Sequence, residues 1–375
     1  MKLSLVAFLL IAFTATFGQT KTSERQKQFM NLITSQELRG HLNFIASDVT
    51  SGRKAGSIGE TIVATYIASY YLGLGVPALQ RSDEDTSGYF QPFACPQGCK
   101  KSQNVVAFLE GSDPKLKREV IIVSAHYDHL GMGPQVNNDS IFNGAADDGS
   151  GTVALMEIAQ SLKKAKDAGL GLKRSVLFLH FAGEEAGRLG SNYYVFENPL
   201  FPLEQTAAII NLDGVGGTDR PQSTNANNYV YVLLNDSTSV GLQGVAERIN
   251  KQAGINLDFP IPENPGRFRS DHESFERELI PSLYFSTGLT EHYHKVSDNA
   301  STINYDHIEK IARLVFAVTA ELANSAEIKS IRPLYSKTGK FYCPPCGCPS
   351  DKKDFGGPGI CPDCRMTVAP VWRHN

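Results

Sequence analysis

Six short strand-like runs, most of them apolar on both faces, alternate with amphipathic stretches, and this alternation constrains the fold more than any other feature of the chain. The runs lie at 104–108, 120–124, 176–181, 207–212, 229–234 and 282–285. Strands that are apolar on both sides belong in a sheet covered on both faces. Helical stripes fall around them: Leu38, Leu42 and Ile45 within 35–47, with Ser35 as N-cap, and Ile62, Val63, Tyr66 and Ile67 within 59–72. Leu155, Ile158, Ala159 and Leu162 make a third stripe within 152–164. A further helix is predicted over 240–251, and Ile308, Ile311, Leu314, Val315, Val318 and Leu322 line one over 305–324. The pattern predicts an α/β layer fold. Residues 79–102, polar and broken by proline and glycine, read as irregular.

A chain of 375 residues with net charge -3 and no long run of one sign gives no reason to expect nucleic acid or an anionic membrane as partner. Lys2, the apolar stretch 3–13 and Thr16-Phe17-Gly18 before Gln19 read as an export signal over 1–18. The apolar stretch is short of the ~20 residues a membrane span needs. A soluble mature protein, secreted or periplasmic, is therefore expected, with an uncleaved anchor as the alternative. The seven cysteines leave the middle of the chain empty, so the main domain, expected over 19–335, must depend on its core. Residues 336–375 read as a linker and a small Cys-rich module.

The chemistry-bearing residues sit where predicted strands end. Glu184 and Glu185 follow the run 176–181, His126 follows 120–124, Asp213 follows 207–212, Asp147 precedes a helix, and His294 lies beyond 282–285. Ligands of an open α/β sheet collect beyond the carboxyl ends of its strands. Two histidines and three carboxylates suit zinc, and one carboxylate can bridge two ions. Of two adjacent glutamates, one can bind metal while the other moves a proton. Asp128, two residues past His126, can orient its ring. Singly, a His-x-Asp or a Glu-Glu is usually surface charge; together these segments are not. His41, His129, His180, His292 and His307 read as structural or solvated, and Asp271 and His272 as supports of the site.

From about Arg39 to Ala323 the chain resembles the co-catalytic di-zinc exopeptidases, a family of secreted bacterial aminopeptidases and glutamate carboxypeptidases that includes the glutaminyl cyclases. The resemblance rests on Ser51-Gly52-Arg53 with Ala55-Gly56, Ser124-Ala125-His126-Tyr127-Asp128, the glycine-flanked Asp147-Asp148, Gly183-Glu184-Glu185, Asn211-Leu212-Asp213, Ser270-Asp271-His272, and Tyr293-His294 with Asp298. It implies a three-layer α/β/α sandwich around a mixed, mostly parallel sheet. It also implies two zinc ions, with His126 and Asp213 on one, Glu185 and His294 on the other and Asp147 bridging. Glu184 would be the general base and Tyr293 an oxyanion donor, and the Asp147–Asp148 peptide is expected to be cis.

In the tail, Cys343-x2-Cys346 and Cys361-x2-Cys364 have near zinc-ribbon spacing and resemble short heavy-metal-binding modules, with Cys348 as an extra and Arg365 where glycine is usual. One further structural zinc on Cys343, Cys346, Cys361 and Cys364 is expected; two disulfides are the alternative in an exported chain. Cys95 and Cys99 are expected to form a local disulfide. The activity implied is that of an aminopeptidase acting on peptide substrates by attack of metal-activated water. A carboxypeptidase or dipeptidase of the same fold is the near alternative, for which Arg267 or Arg269 near the metals would hold a substrate carboxylate. A glutaminyl cyclase, a non-catalytic binding scaffold such as the transferrin receptor and a metal-handling protein stand further off.

Overall fold

The computed structural model describes residue 25 and residues 28–79, 85–95, 99, 101–234, 238–260, 268–343, 348–351, 353–364 and 367–375. The export segment, Arg267, Cys346 and Arg365 lie outside them. Among the described residues no helix is long and apolar enough to cross a membrane.

The frame is an eight-stranded sheet. In chain order its strands are β1 (Phe90–Phe93), β2 (Ser102–Leu109), β3 (Val120–His126), β6 (Ser175–Phe181), β7 (Thr206–Leu212), β8 (Tyr229–Leu233), β9 (Asn256–Asp258) and β10 (Ser282–Ser286). Across the sheet the order is β1-β2-β6-β3-β7-β10-β8-β9. β6, β3, β7 and β10 run parallel to one another, so their carboxyl ends share one rim. A two-stranded hairpin, β4 (Gly131–Val136) with β5 (Asp139–Phe142), stands apart from the sheet.

Alternate residues of each central strand enter different cores. Ile121, Val123, Val176, Phe178, Ala208 and Ile210 join the larger one. Val120, Ile122, Leu177, Leu179 and Ile209 join the smaller. That division is what two-sided apolar strands require, and each such side chain contributes about 1.5–3 kcal/mol when fully buried. The larger core is closed by α1 (Ser35–Ile45), α2 (Ile58–Leu74), α3 (Ser150–Asp167), α5 (Leu242–Ala253) and α7 (Tyr305–Asn324). The smaller is closed in part by Phe275, on the short α6 (His272–Glu276), while α4 (Leu189–Asn192) is a single turn near the rim. The chain is a mixed, mostly parallel α/β fold with helices on both faces.

Three local expectations are corrected. Thr34, not Ser35, caps α1, accepting the Glu37 N–H at 3.3 Å. The stretch 79–102 is not wholly irregular, because β1 pairs antiparallel with β2 at the sheet's edge. The helix expected over 240–251 begins at Leu242. Cys95 and Cys99 are disulfide-bonded. Beyond α7 the chain forms a separate three-stranded sheet, β11 (Tyr335–Tyr342), β12 (Asp354–Phe355) and β13 (Ala369–His374), with β11 in the middle.

Candidate metal centre

Strand ends deliver the site. β3 finishes on His126, β7 is followed at once by Asp213, the loop after β6 carries Glu184 and Glu185, and the loop after β10 carries His294. Asp147 arrives from the segment leading into α3, where Gly144 turns the chain at φ 58°; a Cβ there would lie 2.4 Å from the Asp147 carbonyl and from the His129 ring. Asp298 pins this segment, accepting the Ala146 N–H at 2.8 Å and the Asp147 N–H at 3.1 Å. Arg53, fully buried, donates to the carbonyls of Tyr127 (2.7 Å), Asn143 and Gly144 (2.5 Å). One guanidinium thus ties the His126 loop to the Asp147 loop, a task suited to its rigid fork of donors. Asp148 accepts the N–H groups of His126, Gly151 and Gly214. The Asp147–Asp148 peptide is cis.

Asp147 faces two groups of donors at once. Its Oδ1 lies 3.2 Å from His126 Nε2, which is itself 3.7 Å from Asp213 Oδ1. Its Oδ2 lies 3.1 Å from His294 Nε2, which is 3.2 Å from Glu185 Oε2. Donors about 2.0–2.1 Å from a tetrahedral zinc stand about 3.3 Å apart, so both groups have the right span. His294 Nε2 and Glu185 Oε1 are buried and close to neighbouring polar atoms but without the alignment of a hydrogen bond, an arrangement that a cation among them would satisfy.

Electrostatics agree. Burial would lower the His294 pKa, yet Asp147 and Glu185 raise it to about 10. His126, against the same burial, is raised well above the usual range by Asp128, Asp147 and Asp213. Burial would raise Asp147, but His126 and His294 hold it well below the carboxylate range. Five carboxylates, those of Asp147, Glu184, Glu185, Asp213 and Asp298, line one pocket, and such crowding calls for cations.

His129, read from sequence as structural or solvated, joins the second group. It is buried, its Nδ1 is 2.8 Å from Glu185 Oε1 and 3.9 Å from Asp147 Oδ2, and neither ring nitrogen is aligned for a hydrogen bond. His129, Asp147 and Glu185 could hold an ion together, as could His126, Asp147 and Asp213. The available signal was the position of His129, three residues past His126 and one past Asp128.

Asp128 is buried; its backbone carbonyl lies 3.3 Å and its Oδ1 3.6 Å from His126 Nδ1, and Oδ1 also accepts the Glu184 N–H at 3.0 Å. It therefore orients a histidine and the glutamate segment together. Burial pushes Glu184 well up; Asp271, Asp213 and Glu185 add to this and His126 opposes it. Tyr293 stands at the mouth, its ring stacked on His294 at 3.8 Å. Burial and the surrounding carboxylates raise its pKa, so it stays a hydroxyl donor. His272 stacks on Tyr284 at 4.5 Å, and Asp271 beside it is buried. Of the tail residues, Cys343, Cys361 and Cys364 come together with Cys348.

A strand-borne rim of this kind can be compared with known proteins. The profile of peptidase family M28 matches residues 104–319, more than half of the chain. The chain belongs to peptidase family M28. A probable leucine aminopeptidase of Arthroderma otae is 28% identical over 229 residues, covering 60% of this chain and 58% of that protein. The chain spans about half the length of the curated relatives it matches. Among solved structures, the LapA aminopeptidase of Legionella pneumophila superposes with a TM-score of 0.64 at 24% identity, covering 81% of this chain and 76% of that one. A Porphyromonas gingivalis glutaminyl cyclase does so at 0.60 and 20%, covering 78% and 99%. These two likenesses establish the fold.

In this M28 chain the rim opens into a pocket whose one cationic lining residue, among the described residues, is Arg269. Its guanidinium is already engaged, with Nε 3.1 Å and Nη2 3.3 Å from the carboxylate of Glu273, which also meets Arg188 Nη2 at 3.2 Å.

Proposed function

We propose that the protein is a zinc-dependent aminopeptidase, releasing N-terminal residues from peptides. The observation that carries this is the Asp147 carboxylate, one oxygen turned to each donor group. His126 and Asp213 would hold one zinc ion and Glu185 and His294 the other, with Asp147 shared and His129 beside the second. When bound, the pair supplies the Lewis acidity that ionises water near neutral pH and polarises the scissile carbonyl.

The remaining steps belong to side chains. Glu184, whose surroundings raise its proton affinity, takes the proton of the attacking water and passes it to the leaving amine. The Tyr293 hydroxyl donates to the oxygen that gains charge as the carbonyl carbon becomes tetrahedral. Asp128 keeps the His126 ring aligned.

Arg269, the cationic pocket residue among those described, is held by Glu273 rather than left open to a substrate carboxylate, which favours an amine at the substrate terminus. Relatives named as aminopeptidases support the same reading. Donors for two ions weigh against a single-zinc glutaminyl cyclase. A panel of peptides with free or acetylated N-termini and free or amidated C-termini tests the proposal. Cleavage should require the free amine and tolerate the amide. Hydrolysis that instead requires a free C-terminus, or cyclisation of N-terminal glutamine without hydrolysis, would overturn it.

A further inference from the structure

We propose that Cys343, Cys348, Cys361 and Cys364 hold a zinc ion of their own, so that Cys348, outside both Cys-x2-Cys pairs, is one of its ligands, and that this ion organises the C-terminal sheet.

The four sulfurs lie within 4.8 Å of one another. Cys343 Sγ is 3.7 Å from Cys348 Sγ and 3.3 Å from Cys364 Sγ, and Cys348 Sγ is 3.8 Å from Cys361 Sγ. Four thiolates about 2.3 Å from a tetrahedral zinc stand about 3.8 Å apart. A disulfide brings sulfurs to about 2.05 Å, so these pairs are not bonded to each other. An all-sulfur tetrahedron selects zinc, or an iron–sulfur centre, over harder cations.

Local structure supports the set. Cys343 follows β11 directly, and Cys361 and Cys364 precede β13, which pairs with β11. The ion would close the open end of that pair. Cys348 opens a turn in which the Asp351 N–H donates to its carbonyl at 3.1 Å. Ser350 of the same turn donates to Asp363 Oδ2 at 2.6 Å, linking the two cysteine-bearing turns. Cys343 and Cys361 are fully buried, with Val368 as the other buried member of their cluster among the described residues. So small a core cannot hold some 40 residues without a crosslink or a metal.

This site does not depend on the reading of the main centre, whose donors are nitrogen and oxygen. Cobalt(II) substitution separates the two, because only thiolate ligands give sulfur-to-cobalt charge-transfer absorption. The full-length chain loaded with cobalt should show that band. Cys348→Ser should remove most of it and one equivalent of metal, while Cys346→Ser should leave both unchanged. Asp147→Asn should deplete the main centre and leave the band in place. Should Cys348→Ser perturb folding, iodoacetamide labelling of the wild type serves instead: the four thiols should be protected until a chelator is added. Loss of the band in Cys346→Ser but not Cys348→Ser, its absence from the wild type, bound iron instead of zinc in the purified protein, or disulfides among the four cysteines would each overturn the proposal.

Discussion

Asp147 and His129 show how much of the site turns on single atoms. Asp147 lies between two histidine nitrogens, one on each oxygen, while His129 lies against Glu185 on the second side only. The two residues therefore differ in what their loss would do. His129→Ala should weaken retention of one metal ion by roughly 10–100-fold, the usual cost of removing a supporting group, while the His126 side keeps its ion. Metal content after graded dialysis against a chelator measures this, and equal loss from both sides would count against it. Asp147, Glu185, Asp213, His126 and His294 could be singled out from sequence because each follows or precedes a regular element within a short motif. His129 could not: a histidine outside the donor pattern is more often structural, and only the fold shows it facing Glu185.

At the scale of elements, the four parallel strands that make the rim were legible because both faces of each are buried, which forces continuous apolar runs. β1 was not. It is a four-residue edge strand containing Pro92, and an edge needs neither two apolar faces nor every backbone donor. The β4–β5 hairpin, of whose strand residues only Gly131 is buried, leaves no periodic trace either. Contacts between elements lie further from sequence still. Glu60 on α2 is 2% exposed and accepts from Ser102 Oγ on β2 and from the Gly56 N–H at 2.6 Å. Burial pushes its pKa from 4.5 up to about 7. Between those values the unfolded carboxyl is ionised while the folded one keeps its proton. The folded state binds more protons there, so stability falls as pH rises from about 4.5 through 7. Glu60→Gln should abolish this component, up to about 3 kcal/mol. Urea denaturation of both proteins across that range checks it; parallel pH profiles would contradict it.

For the whole molecule, the tail is docked rather than trailing. Glu278, 2% exposed in the main body, meets Lys337 Nζ on β11 at 2.8 Å and Arg332 Nη2 at 3.2 Å. The Trp372 indole N–H on β13 donates to the Arg277 carbonyl at 2.8 Å. Arg277 in turn lies 3.9 Å from Glu273, the carboxylate that engages Arg269 in the pocket wall. Removing both cations would leave a buried carboxylate uncompensated, at a cost of about 3–5 kcal/mol. The double variant Arg332→Ala/Lys337→Ala should therefore lower the unfolding temperature or release the tail to limited proteolysis. A variant with unchanged stability and protease resistance would show that the docking contributes nothing.

The central claim is that two metal ions are held by the rim while Glu184, standing beside them, moves the proton. Glu184→Gln keeps the size of the side chain and removes its basicity. Zinc analysis and turnover of a free-amine peptide, measured on the same preparation, test the claim together. The account predicts that both main-centre ions stay bound while turnover is abolished; turnover near that of the wild type with both ions bound would contradict it.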